Sequence, residues 1–111
     1  MRNKTEKANY CKRQMFSKHN GVCTTYSFLQ TTYAGMLEAD PSVKSFEVNI
    51  PIRGTTYTSD FYITNNDGSV MVRECILHMD LVKPRWLGLL DMSRNYWTDQ
   101  SIDWGLIANK T

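Results

Sequence analysis

Tyr57-Thr58-Ser59-Asp60-Phe61-Tyr62-Ile63-Thr64, then Asn65, the triplet Asn66-Asp67-Gly68, and Ser69-Val70-Met71-Val72-Arg73-Glu74-Cys75-Ile76 together read as a β-hairpin. Aromatic and β-branched residues fill both arms, and the triplet supplies a three-residue loop with glycine at its left-handed position. If Asn65 faces Ser69 across that loop, Asp60 faces Glu74. Directly opposed side chains on antiparallel strands have Cβ atoms roughly 4.5–5.5 Å apart, and like charges there repel. The spacing thus predicts two carboxylates side by side on one sheet face, an arrangement that a divalent cation stabilises.

Working outward, Phe46, Val48, Ile50 and Ile52 alternate with Glu47, Asn49 and Pro51, which predicts a strand with one apolar face. Pro51 has no N–H for a ladder and favours an edge or a strand end. Arg53-Gly54 turns the chain into the Asp60 strand. Upstream, Tyr26, Leu29, Tyr33, Met36 and Leu37 recur at helical spacing, with Thr24 or Thr25 as cap and Asp40-Pro41 as stop, so a helix is expected to run to about Ala39. Downstream, Pro84 suits the first position of a second helix that carries Trp86, Leu87, Leu89, Leu90 and Trp97 on an apolar face and ends near Thr98. Ile102 to Ala108 reads as a final, well-buried strand, whose preceding helix suits a parallel neighbour. The expectation is an α/β fold of order α-β-β-β-α-β, a mixed sheet flanked by helices.

At 111 residues and 41% hydrophobic content, the chain suits one domain with a real core and leaves little room for a second. No apolar run reaches the roughly 18–20 residues that span a bilayer, and the basic N-terminus lacks a hydrophobic segment, so no membrane partner and a cytoplasmic protein are expected. Cys11, Cys23 and Cys75 form no C-x-x-C pair and read as free thiols. Residues 1–20 hold six basic side chains, Arg2, Lys4, Lys7, Lys12, Arg13 and Lys18, against Glu6; this arm is +5 and the remainder, 21–111, is −3. Such an arm can track phosphates through counterion release, and it can equally be a solvated terminus.

Several stretches together carry a family likeness: Ser27-Phe28-Leu29-Gln30, Asp40-Pro41-Ser42-Val43, Tyr57-Thr58-Ser59-Asp60-Phe61, Asp67-Gly68, Arg73-Glu74-Cys75 and Trp104-Gly105. Across roughly Val22 to Ala108 the chain resembles the PD-(D/E)XK nuclease superfamily, and within it the TnsA-type transposon endonucleases, which work beside a separate transposase. The resemblance implies a single restriction-endonuclease-like domain that cuts DNA at transposon ends with Mg²⁺, or Mn²⁺ in its place. It implies DNA and a transposase subunit as partners; a homodimer is also open. By position, Asp60 and Glu74 match the family's metal-binding acids, and the carbonyl of Cys75 is implied as a third oxygen. Three positions depart from the family pattern: Gln30 stands where a helix glutamate is usual, Ser59 where proline is, and Ile76 where lysine is.

The residue types suit that chemistry, since carboxylates hold a hard cation that lowers the pKa of a bound water and stabilises charge on phosphoryl oxygens. A lysine that activates the attacking water typically contributes about 10²–10⁴-fold. Lys83 is the nearest downstream lysine and reaches the acids only if the 77–82 connection curls back; otherwise it is a surface charge. Gln30 falls on or beside the buried helix face, where an amide either offers its oxygen to a metal or satisfies backbone groups. Cys11, His19, Cys23 and His78 lack the paired spacing of structural zinc sites. Cys75 reads as a buried structural thiol rather than a nucleophile, and Trp86, Tyr96 and Trp97 as core rather than a base-stacking platform. The competing reading is a cleavage-incompetent nuclease fold that binds DNA or protein.

Overall fold

A computed structural model describes residues 10–109. The order is β1 (Lys12–Met15), β2 (Val22–Thr25), α1 (Phe28–Ala39), β3 (Val43–Pro51), β4 (Thr58–Asn65), β5 (Val70–Ile76), a 3₁₀ helix (His78–Val82), α2 (Pro84–Thr98) and β6 (Asp103–Ala108). β1 and β2 form a two-stranded antiparallel sheet of their own; the other four make a mixed sheet of order β3-β4-β5-β6. β1, β2 and the 3₁₀ helix are additions to the expected element order.

The hairpin at the centre forms as its turn residues demand. Asn65 N–H donates to the Ser69 carbonyl at 2.9 Å and Gly68 N–H to that of Asn65 at 3.0 Å. Gly68 takes φ +87°, open to glycine without a Cβ clash. The Asp67 carboxylate accepts from the N–H and the O–H of Ser69, at 2.9 and 2.6 Å. The register that follows pairs Thr64 with Val70, Ile63 with Met71, Tyr62 with Val72 and Phe61 with Arg73.

α1 starts later than the threonines suggest. Thr24 and Thr25 belong to β2, opposite Arg13 and Lys12, where β-branched side chains fit a pleat better than a helix. Ser27 is the cap instead, its hydroxyl accepting from Gln30 N–H at 3.0 Å. At the far end Lys18 Nζ donates to the Asp40 carbonyl at 2.6 Å, and Glu38 accepts from Ser17 and Lys18. Residues 16–18 of the basic segment therefore pack on the body of the domain, with Phe16 tilted against Phe46 at 5.8 Å between ring centroids. Arg2, Lys4, Glu6 and Lys7 lie outside the described residues.

The helices cover opposite faces of the sheet. Phe61 meets Tyr33 of α1 edge-on at 5.0 Å, while its neighbour Tyr62 meets Trp97 of α2 at 5.8 Å, and successive strand residues point to opposite sides. The α1 side holds the main apolar core: Cys23, Tyr33, Ala34, Leu37, Val43, Phe46, Phe61, Ile63 and Cys75. On the other side α2 buries Leu90, Ser93 and Trp97, whereas Leu87, expected on the apolar face, is 43% exposed. Pro84 opens α2, and Pro51 ends β3, an edge strand.

β6 runs parallel to β5, pairing Met71 with Asp103 through Ile76 with Ala108. It is an edge strand with a half-exposed side rather than a well-buried one, because nothing pairs beyond it among the described residues. Arg73 bridges the two strands, its guanidinium donating to the Asp103 carboxylate at 2.9 Å and to the Asp103 carbonyl at 3.1 Å. Gly105 makes room for it, since a Cβ there would stand 3.2 Å from the guanidinium carbon. Among the described residues no helix is long and apolar enough to cross a membrane.

Candidate functional site

Past the Phe61–Arg73 pair the β4–β5 ladder stops, and the next two residues in that register are Asp60 and Glu74. Here each strand turns a backbone donor to the other strand's acid. Asp60 N–H donates to Glu74 Oε1 at 3.0 Å, and Cys75 N–H donates to Asp60 Oδ2 at 2.7 Å. The two carboxylates thus take the place of the carbonyls the ladder lacks, and both residues are fully buried. The acids expected from hairpin spacing come together through this interlock.

α2 completes the surroundings of Glu74. Ser93, one turn beyond Leu90 on the buried face, donates its hydroxyl to Glu74 Oε2. Trp104 of β6 donates its indole N–H to Ser93 Oγ at 3.0 Å. Trp97 donates to Ser59 Oγ at 2.8 Å, and the Ser59 and Ser93 hydroxyls are 3.2 Å apart. None of these partners of Glu74 follows from strand periodicity. One signal is present: Ser93 is a small polar residue on an otherwise apolar helical stripe, and buried hydroxyls need partners.

The remaining candidates lie elsewhere in the contact network. Gln30 is fully buried on α1, with Oε1 accepting from Tyr26 N–H at 2.8 Å and Nε2 donating to Asn49 Oδ1 at 3.0 Å. Asn49 in turn donates to the Thr24 carbonyl at 2.8 Å and adopts φ +56° within β3, a conformation asparagine tolerates. It lies between the Val48–Phe61 and Ile50–Ser59 pairs, so Gln30 reaches the β3 position that faces Asp60. Its amide atoms are occupied in joining α1 to Tyr26, just past β2, and to Asn49 of β3. Lys83 Nζ pairs with Asp80 Oδ1 at 2.7 Å between the 3₁₀ helix and α2 and is 56% exposed. Its contact is with Asp80, not with the acid pair. Ile76 is fully buried.

Cys75 contributes its backbone to the site and its thiol to the apolar core. Cys23 also lies in that core, and burial pushes its thiol up to about 11. Burial likewise raises the Tyr33 hydroxyl above its ordinary range, with Arg73 pulling the other way. Cys11 is exposed, and none of the three cysteines is in a disulfide.

Carboxylate oxygens are the donor type that hard divalent cations take. Asp60 and Glu74 present carboxylate oxygens from two neighbouring strands, each accepting from the other strand's backbone, and an oxygen accepting one hydrogen bond keeps a second lone pair. Mg²⁺ is commonly held by one or two carboxylates with waters and substrate oxygens completing the shell. Among the described residues no three His, Cys, Asp or Glu side chains gather, so other oxygens would have to complete such a site. Compared with known proteins, the chain matches no family model and no curated protein.

Proposed function

We propose that this chain is a metal-dependent DNA endonuclease, similar in its site to TnsA-type subunits that cut at transposon ends beside a separate transposase. The observation that carries the reading is the interlock of Asp60 and Glu74 where β4 and β5 part. Two neighbouring buried carboxylates repel one another when both are charged, a cost that a cation held between them would offset. Asp60 and Glu74 would hold Mg²⁺, and the bound ion supplies a water of lowered pKa and a counter-charge for phosphoryl oxygens. The β4 and β5 backbones fix the approach of the two acids, Cys75 N–H orienting Asp60 and Asp60 N–H orienting Glu74. Lys12 and Arg13 of the basic arm are exposed on β1, where their charge suits a phosphate backbone.

A second reading has its own observations. Gln30 is engaged by Asn49, Ile76 occupies the family's lysine position, and both acids are closed to solvent. Together they favour a domain in which the acid pair is kept as architecture while the surface binds DNA or protein. A plasmid-nicking assay in Mg²⁺ or Mn²⁺ separates the two. The parent chain is expected to nick slowly, since the missing lysine costs about 10²–10⁴-fold, and Asp60→Ala is expected to be inert. A parent as inert as the mutant, with DNA binding intact in both, turns the conclusion to the binding module.

A further inference from the structure

We propose that the outer side of β6 pairs with β6 of a second copy of this chain, antiparallel and with Leu106 on the two-fold axis, so that two four-stranded sheets become one. The proposal goes beyond the nuclease reading and does not depend on it. It starts from a difference between the two edges of the sheet, β3 and β6. The β3 edge is closed by devices that stop strands from pairing. Phe46 N–H is taken by the Lys18 carbonyl at 3.0 Å, the Asn49 side chain reaches the Thr24 carbonyl of β2, and Pro51 ends the strand without a donor. Exposed Lys44 and Glu47, the register shift between Val43 and Ser45 and the left-handed Asn49 add to the block.

β6 carries none of these from Asp103 to Ala108. It has no proline or lysine, its pairing with β5 runs from Asp103 to Ala108 without a shift, and no strand lies on its outer side among the described residues. Alternate residues of a regular strand turn their N–H and C=O to its two sides, so such an edge presents a row of donors and acceptors. Leu106 adds apolar surface, at 41% exposure.

The side chains select an identical strand as the occupant. Trp104 donates to Ser93 of α2 and Ile107 packs against the core under α1, so Trp104, Leu106 and Ala108 face α2 while Gly105 and Ile107 face α1. A two-fold axis perpendicular to the sheet keeps each side chain on its own face. With that axis at Leu106, the leucine meets its own copy, Trp104 meets Ala108 and Ile107 meets Gly105. Large residues therefore oppose small ones, and the two exposed leucines cover each other. Residues 104–108 carry no charge, and Asp103, already paired with Arg73 of its own chain, falls opposite Asn109, so no like charges are opposed.

Sedimentation equilibrium of the full-length chain across the micromolar range tests this, with amide hydrogen exchange of residues 104–108 followed at both ends of that range. A monomer–dimer equilibrium is expected, as suits a short edge contact, with β6 amides slowing on association and β3 amides unchanged. Leu106→Lys and Leu106→Glu each oppose like charges across the axis and should weaken self-association about tenfold or more. Mixed in equal amounts, the two variants should pair with each other, because position 106 faces itself. Glu47→Lys on the β3 edge should leave association unchanged. A chain that is monomeric at every concentration overturns the proposal, whether its β6 amides are fast or slow. So does a dimer whose β6 amides exchange as fast as the monomer's, or charged variants that associate like the parent, or a mixture that stays monomeric. If a charged variant does not fold, sedimentation and exchange of the parent decide alone. Nicking activity is read in none of these measurements, so their failure leaves the nuclease reading where it stood.

Discussion

At Gln30 the side chain answers to its neighbours rather than to a general preference. Its oxygen serves Tyr26 N–H and its nitrogen serves Asn49 Oδ1, so the site asks for one acceptor and one donor. A glutamate offers acceptors alone when ionised. Asn49 cannot reverse its amide to compensate, because its own nitrogen is engaged by the Thr24 carbonyl. Gln30→Glu, the change that restores the family's acid, is therefore expected to cost about 1–3 kcal/mol rather than to improve the site. Urea unfolding of the two proteins measures it, and unchanged stability would show that the Asn49 bond carries little. Gln30 is legible as a buried-face residue from its spacing to Tyr33 and Leu37. Its partner is not, because Asn49 lies 19 residues away on a different element.

The hairpin element draws its turn stability from Asp67. First the Ser69 hydroxyl and then the Ser69 N–H hold the Asp67 carboxyl below its ordinary 3.8. Ser42 does the same for Asp40 after α1, through its N–H and then its hydroxyl, and the Ser17 hydroxyl leads for Glu38. For a carboxyl depressed in the folded state, the stabilisation is present above the unfolded value and disappears as pH falls through the folded one. The chain is expected to lose stability below roughly pH 4, and Asp67→Ala to lose less between neutral pH and about pH 3 than the parent does. Urea midpoints for both proteins at the two pH values check the sign; a steeper acid loss in Asp67→Ala would contradict it. The hairpin is readable because loop length, Gly68 and the alternation of Phe61, Ile63 and Val72 are local. The start of α1 is ambiguous for a local reason as well: three hydroxyl residues, Thr24, Thr25 and Ser27, compete as cap, and strand pairing with β1 takes the first two.

For the molecule as a whole, Phe61 is where core and site meet. It packs beside Tyr33 and Phe46 under α1 and forms the last rung of the ladder before the acids. Phe61→Ala is expected to cost about 3–5 kcal/mol, which denaturant unfolding would show. It should also loosen Trp97 on the far face, because β4 carries its acceptor Ser59 two residues before Phe61. The sequence by itself determined what depends on neighbours in the chain: the period of two in β3 and β4, the loop that opposes Asp60 to Glu74, the strand end at Pro51 and the helix start at Pro84. Turn chemistry and side-chain alternation act over a few residues, so they can be read without knowing what packs where. Tertiary structure alone decided that both acids are sealed from solvent, that Lys83 pairs with Asp80 and that Gln30 is held by Asn49. It alone joined Trp97 to Ser59 across 38 residues of chain. Such partners are selected by the close packing of α2 and β6 against the sheet, where a buried donor must find an acceptor whatever its distance along the chain.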